Sequence, residues 1–67
     1  MNKLLLRSVM ALHDDTNKSL ADYLGISAKS LIDKINENGT EFKQGEIQAI
    51  KKRYELTAEQ VTQIFFN

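Results

Sequence analysis

Ser19-Leu20-Ala21-Asp22-Tyr23-Leu24-Gly25-Ile26-Ser27-Ala28-Lys29-Ser30-Leu31-Ile32-Asp33-Lys34-Ile35 encodes two short amphipathic helices on either side of one glycine. On the first, Leu20, Ala21 and Leu24 face inward with Tyr23 flanking them. On the second, Leu31, Ile32 and Ile35 form an apolar stripe at i, i+1 and i+4. Gly25 follows the last residue of the first helix, where a left-handed backbone closes a helix without Cβ strain. Ile26 is apolar inside the turn, as expected of a plug between two helices, and Ser27 is a restart cap. Helix, glycine turn and helix in this order are the pattern of a helix-turn-helix.

Working outward, Asn2 opens a first helix running to about His13. Its Leu5, Val9 and Leu12 share one face, with Leu6 and Met10 beside them. Asp14-Asp15-Thr16 breaks that helix, and Thr16 caps the next. Past Ile35, Asn36-Glu37-Asn38-Gly39-Thr40 is a polar loop with a strong turn signal at Asn38-Gly39. Phe42 anchors the chain before a fourth helix, roughly Gln44–Tyr54, where Ile47 and Ile50 point inward. Lys43 stands where a capping oxygen is preferred, so that helix starts poorly capped. Thr57 and Gln60 have capping-box spacing and open a fifth helix with Val61, Ile64 and Phe65 apolar. The expected fold is all-α: five short helices around one small core, as a single domain over residues 1–67.

Composition narrows the function classes. With 67 residues and no cysteine, neither disulfides nor a thiolate metal site supplements the core. The plainest compartment is the cytoplasm, and apolar runs such as Leu4–Leu6 are far too short for a membrane span. Nine basic and nine acidic side chains cancel, whereas nucleic-acid-binding domains are usually basic. Any DNA partner would therefore be held by charge arranged on one face, or by neutral donors and backbone amides.

Thr16-Asn17-Lys18-Ser19-Leu20-Ala21-Asp22-Tyr23-Leu24-Gly25-Ile26-Ser27 resembles the helix-two-and-turn signature of the Cro/repressor (XRE-type) helix-turn-helix proteins. Lys34-Ile35-Asn36, Glu41-Phe42, Glu46-Ile47, Ile50, Tyr54-Glu55-Leu56-Thr57 and Ile64-Phe65-Phe66 are similar to small Cro-like phage repressors of Gram-positive hosts. The resemblance runs from Leu4 to Phe66 and implies a lambda-repressor-like domain that binds double-stranded operator DNA as a dimer. Two positions depart from the pattern. Asn17 replaces the usual glutamine with a shorter amide that still donates to a phosphate, and Ala28 stands where amides or arginine are common. Alanine there meets a thymine methyl rather than a hydrogen-bonding base edge.

In that frame Ala28, Lys29, Ser30, Asp33 and Lys34 are the exposed base-contact candidates on the third helix. Lys29 donates to guanine acceptors, and Ser30 pairs with several bases. For Lys29 and Lys34 the plainer alternative is a solvated helix face. Asp33 has three readings: accepting from cytosine, repelling phosphate, or pairing with Lys29 or Lys34 along the helix. Asn17, Asn38, Gly39, Thr40 and Lys43 are the phosphate-contact candidates, through side-chain amides and the free N–H groups at a helix start. Asn38-Gly39 also reads simply as a tight turn. Lys51-Lys52-Arg53 is better explained as cationic complement to the end of the fourth helix than as a DNA contact.

Other chemistry is poorly supported. Ser27 is a cap rather than a nucleophile, and His13-Asp14-Asp15 reads as a solvated helix end rather than a metal site. No cofactor, small-molecule substrate or enzymatic activity is expected. Dimer-interface candidates are Phe66 and Tyr54, left over if Val61, Ile64 and Phe65 complete the core; the alternative is that both cap the core edge. The leading expectation is a sequence-specific repressor. The rival is a protein-interaction or antitoxin-type module with the same fold that binds another regulator.

Overall fold

A computed structural model describes residues 1–67 as five α-helices with no strand. They are α1 (Lys3–Leu12), α2 (Asn17–Leu24), α3 (Ala28–Ile35), α4 (Gln44–Arg53) and α5 (Ala58–Phe65). The Cα radius of gyration is 10.7 Å, close to the roughly 11 Å of a fully compact chain of this length. No helix is long and apolar enough to cross a membrane.

The helix starts are set by local chemistry. Asn2, Thr16, Ser27 and Thr57 each accept a hydrogen bond from the backbone N–H three residues on, which relieves one of the four unpaired donors at each start. Thr57 and Gln60 form a full capping box. So do Thr16 and Ser19, with the serine hydroxyl accepting from the Thr16 N–H at 2.8 Å. Lys43 caps nothing with its side chain; instead Glu46 Oε1 accepts the Lys43 N–H at 2.8 Å.

Four of the five helix ends share one device. After α2 it uses Gly25, at φ +73°, with the Ile26 N–H reaching back to the Ala21 carbonyl. After α1, α3 and α4 the same left-handed position is held by Asp14, Glu37 and Glu55, at φ 54°, 56° and 53°. In each case the next N–H closes on a carbonyl five residues back. A non-glycine residue there costs about 1–2 kcal/mol, and a carboxylate at a helix C-terminus opposes the dipole.

One core joins all five helices. Leu6, Leu20, Leu31, Ile35, Ile50 and Ile64 are fully buried, with Met10, Ala21, Ile47, Tyr54, Leu56 and Val61 around them. At about 1.5–3 kcal/mol per buried side chain, these residues supply the main drive to fold. Phe42 packs edge-on to Phe65, with centroids 5.4 Å apart, and so ties the loop after α3 to α5.

The apolar faces differ from expectation in two places. On α1 the core is met by Leu6 and Met10, while Leu5 and Val9 are half-buried and Leu12 is exposed. The helix is therefore rotated relative to the expected Leu5–Val9–Leu12 face, because α5 and the core approach it from the Leu6–Met10 side. On α3, Ile32 lies at the exposed margin while Leu31 and Ile35 are buried.

Candidate nucleic-acid interface

α2 and α3 pack on each other across Gly25-Ile26-Ser27 more extensively than any other pair of helices. The α2 start is held from two sides. Asp15, in the α1–α2 connection, accepts Arg53 Nε–H at 2.7 Å and Arg53 Nη2–H at 2.8 Å. It also accepts the Tyr54 hydroxyl and the Ser19 hydroxyl, each at 2.6 Å. Arg53 in turn lies 4.5 Å over the Tyr23 ring, and His13 lies 4.9 Å from the Tyr54 ring. The cluster ties α4 to both ends of α2. The Arg53 N–H groups hold the Asp15 carboxyl well below the usual carboxylate range, opposed by burial and helped by Ser19 and Tyr54. Burial, and then the Asp15 carboxylate, push the Tyr54 phenol up.

These contacts correct three expectations. Tyr54 is not spare for a partner: it is 4 % exposed and its hydroxyl is engaged by Asp15. Asp15 is not part of a solvated helix end, because its side chain is nearly buried and paired. Arg53 pairs across the fold with Asp15, so Lys51-Lys52-Arg53 is not simply complement to the end of α4.

Lys34 is a fourth correction. Expected among the exposed base-contact candidates, it is only 5 % exposed. Its Nζ forms an ion pair with Glu46 Oε1 at 3.1 Å and donates to the Glu41 carbonyl at 3.3 Å. The reason is electrostatic: Glu46, in the first turn of α4, and the Glu41 carbonyl draw the ammonium inward, and the same carboxylate caps α4. Lys34 is thus an interhelical strut.

The remaining candidate positions on α3 differ in exposure. Lys29 is exposed, while Ala28, Ser30 and Asp33 are half-buried. Lys29 Nζ sits 3.1 Å from Asp33 Oδ2, which favours the helix-pair reading of Asp33. Lys18 pairs likewise with Asp22 on α2, at 3.0 Å. The α2–α3 unit is therefore locally near neutral. In the loop, Asn38 and Gly39 are exposed and Thr40 is half-buried; Glu37, Gly39, Thr40 and Glu41 line one shallow depression. Glu41 beside this loop opposes an anion there, Glu37 being paired with the Met1 ammonium at 3.1 Å, and Lys43, exposed and without an ion-pair partner, is the one cation among the phosphate-contact candidates.

Asn17 opens α2 in a depression that it shares with Arg7, Met10, Ala11, Asp15 and Thr16. Arg7 is exposed and has no salt bridge. It is a cation beside the α2 N-terminus that sequence reasoning missed, since nothing local relates α1 to that helix start. Phe66 is 63 % exposed. Compared with protein-family models, curated proteins and solved structures, the chain has no significant match.

Proposed function

We propose that the chain is a sequence-specific, Cro-like transcriptional repressor of the cytoplasm that occupies operator DNA as a dimer. The observation that supports this best is the α2–turn–α3 unit, tied to α4 through Asp15, with Lys29 exposed on α3 and Ala28, Ser30 and Asp33 half-buried but not in the core. In this reading α3 enters the major groove. Arg7, Asn17 and the α2 amides meet one phosphate run, and Lys43 meets another. Lys29 must leave Asp33 to reach a guanine, an exchange of one exposed ion pair for another contact that costs little. One helix reads few base pairs, so two copies would bind half-sites about 34 Å apart.

The test is titration against duplexes from the flanks of its own gene and scrambled controls at two salt concentrations. Specific binding that weakens as salt rises supports the reading, with a shallow slope because few free cations face the DNA. No binding to any such duplex at micromolar protein would overturn it. The second reading, a module that binds another regulator, is favoured by the Lys29–Asp33 and Lys18–Asp22 pairs, which neutralise the face DNA would meet.

A further inference from the structure

We infer that Asn38 is a self-modification site: the backbone nitrogen of Gly39 converts its side-chain amide to a carboxylate, with water as the only other reactant. The chemistry stands on the loop after α3 alone. Its consequence for binding rests on the DNA reading above.

Asn38 is the one asparagine of the chain followed by glycine. Asn2, Asn17 and Asn36 precede Lys3, Lys18 and Glu37, whose side chains crowd the backbone nitrogen that would have to attack. Asn38 and Gly39 are both exposed and lie outside any helix. The Asn38 side chain makes no hydrogen bond, whereas Asn2 Oδ1 is committed to the Leu5 N–H at 3.1 Å. The Gly39 N–H donates only within a three-residue turn, to the Glu37 carbonyl at 3.1 Å, so releasing it opens no helix. Space around Gly39 is open: beyond its two chain neighbours, nothing comes within 4 Å of where a Cβ would stand. A ring can therefore close there without displacing a neighbour.

The Gly39 N–H gives its proton to water or hydroxide, and the nitrogen attacks Asn38 Cγ. The N–Cγ bond forms, the Cγ–Nδ2 bond breaks, and the amide nitrogen leaves as ammonia, closing a cyclic imide. Water then opens the ring at Cγ, which leaves an aspartate, or at the Asn38 backbone carbonyl carbon, which leaves an isoaspartate whose main chain runs through Cγ. Nothing is oxidised or reduced; water enters and ammonia departs.

Either product is ionised at neutral pH. Nine acidic side chains become ten against nine basic ones, and the net charge passes from zero to −1. The new carboxylate stands three residues past Ile35, the last residue of α3, in the loop that also carries Glu41. A helix end of partial negative charge does not welcome it. It replaces an amide read above as a phosphate contact, so ageing loosens the grip on the DNA backbone while the base-reading face of α3 is untouched.

Incubating the intact chain at physiological temperature and mildly alkaline pH, beside the same chain unfolded in urea, tests this. Peptide mass spectrometry should place the amide-to-acid mass gain at Asn38 ahead of every other asparagine. Its rate should lie within about threefold of that in urea, because opening an exposed loop costs almost nothing. Asn38→Gln keeps an amide and stops the conversion, since glutamine closes a larger ring far more slowly. Aged and Asn38→Asp chains should bind every duplex about tenfold more weakly than fresh chain, with base preference unchanged, while Asn38→Gln does not change with age. Asn38 staying intact while the urea-unfolded chain converts overturns the inference, as does conversion at another asparagine first. Aged chain that binds DNA as fresh chain does overturns its consequence. Fresh chain that binds no duplex sinks the DNA reading alone, and the mass measurement still decides the chemistry.

Discussion

Replacing Asp15 is the most searching perturbation of this fold. Its side chain is only 6 % exposed and accepts four hydrogen bonds, from Arg53 Nε and Nη2, the Tyr54 hydroxyl and the Ser19 hydroxyl. Asp15→Ala strands a buried phenol and a guanidinium. Removing one partner of a buried pair costs about 3–5 kcal/mol. Because the Arg53 side chain is 29 % exposed and regains water, the lower end applies, about 3 kcal/mol. A chain of this size has roughly 3–10 kcal/mol in total. At about 4–8 °C per kcal/mol the melting temperature falls by roughly 12–24 °C. Asp15→Asn keeps an acceptor but loses the charge, and falls between. The sign of the pH dependence follows from the depressed carboxyl. The native state holds Asp15 ionised more strongly than the unfolded chain does, so its contribution is complete above the ordinary aspartate value of about 3.9 and is lost as pH falls below it. The stability gap between the wild type and Asp15→Asn should be constant from pH 7 to about 5 and narrow toward pH 2.5, by at most about 1.4 kcal/mol per pH unit. Thermal and urea melts by circular dichroism measure both. A drop below about 4 °C for Asp15→Ala, or a gap that stays constant to pH 2.5, would refute the account of the cluster.

Three further outcomes are expected. Glu55→Gly relieves a left-handed carboxylate at the end of α4; after the unfolded-state entropy of glycine is deducted it stabilises by about 0.5–1 kcal/mol, seen as a higher melting temperature, and a fall would contradict the strain argument. Lys34→Ala leaves Glu46 half-buried without its cation and destabilises by about 2–3 kcal/mol, whereas Lys34→Met with Glu46→Gln stays within about 1 kcal/mol of the wild type, because both charges are removed together. In the DNA titration Lys29→Ala relaxes base preference, while Arg7→Ala and Lys43→Ala weaken all duplexes alike and each lower the salt slope by about one. A changed base preference in Arg7→Ala, or in Lys34→Met, would show that the groove face is wrongly drawn.

Much of the local structure was legible because its causes lie within a few residues. Thr16, Ser27 and Thr57 cap their helices through bonds to the N–H three positions on. Gly25 closes α2 through its own backbone freedom. The Asp14, Glu37 and Glu55 closures were not legible, since glutamate carries no preference for a left-handed backbone and aspartate a far weaker one than glycine. The candidate interface divided along the same line. Lys29 is exposed on α3 and Asp33 lies one turn on from it, while Ala28, Ser30 and Asp33 are only half-buried. Lys34, on a neighbouring part of the repeat, was taken inward by Glu46 on another helix.

Helix count, caps, turn and most of the core are thus properties of the linear chain: hydrogen bonds across three or four residues and apolar spacing at the helical period act before any helix meets another. The rotation of α1, the burial of Lys34 and Tyr54, the Arg53–Asp15–Ser19 cluster and the placement of Arg7 beside Asn17 belong to the tertiary structure alone. Each depends on a partner far away in sequence. An ammonium, a phenol or a leucine has no fixed side until packing decides which of its neighbours is water and which is protein.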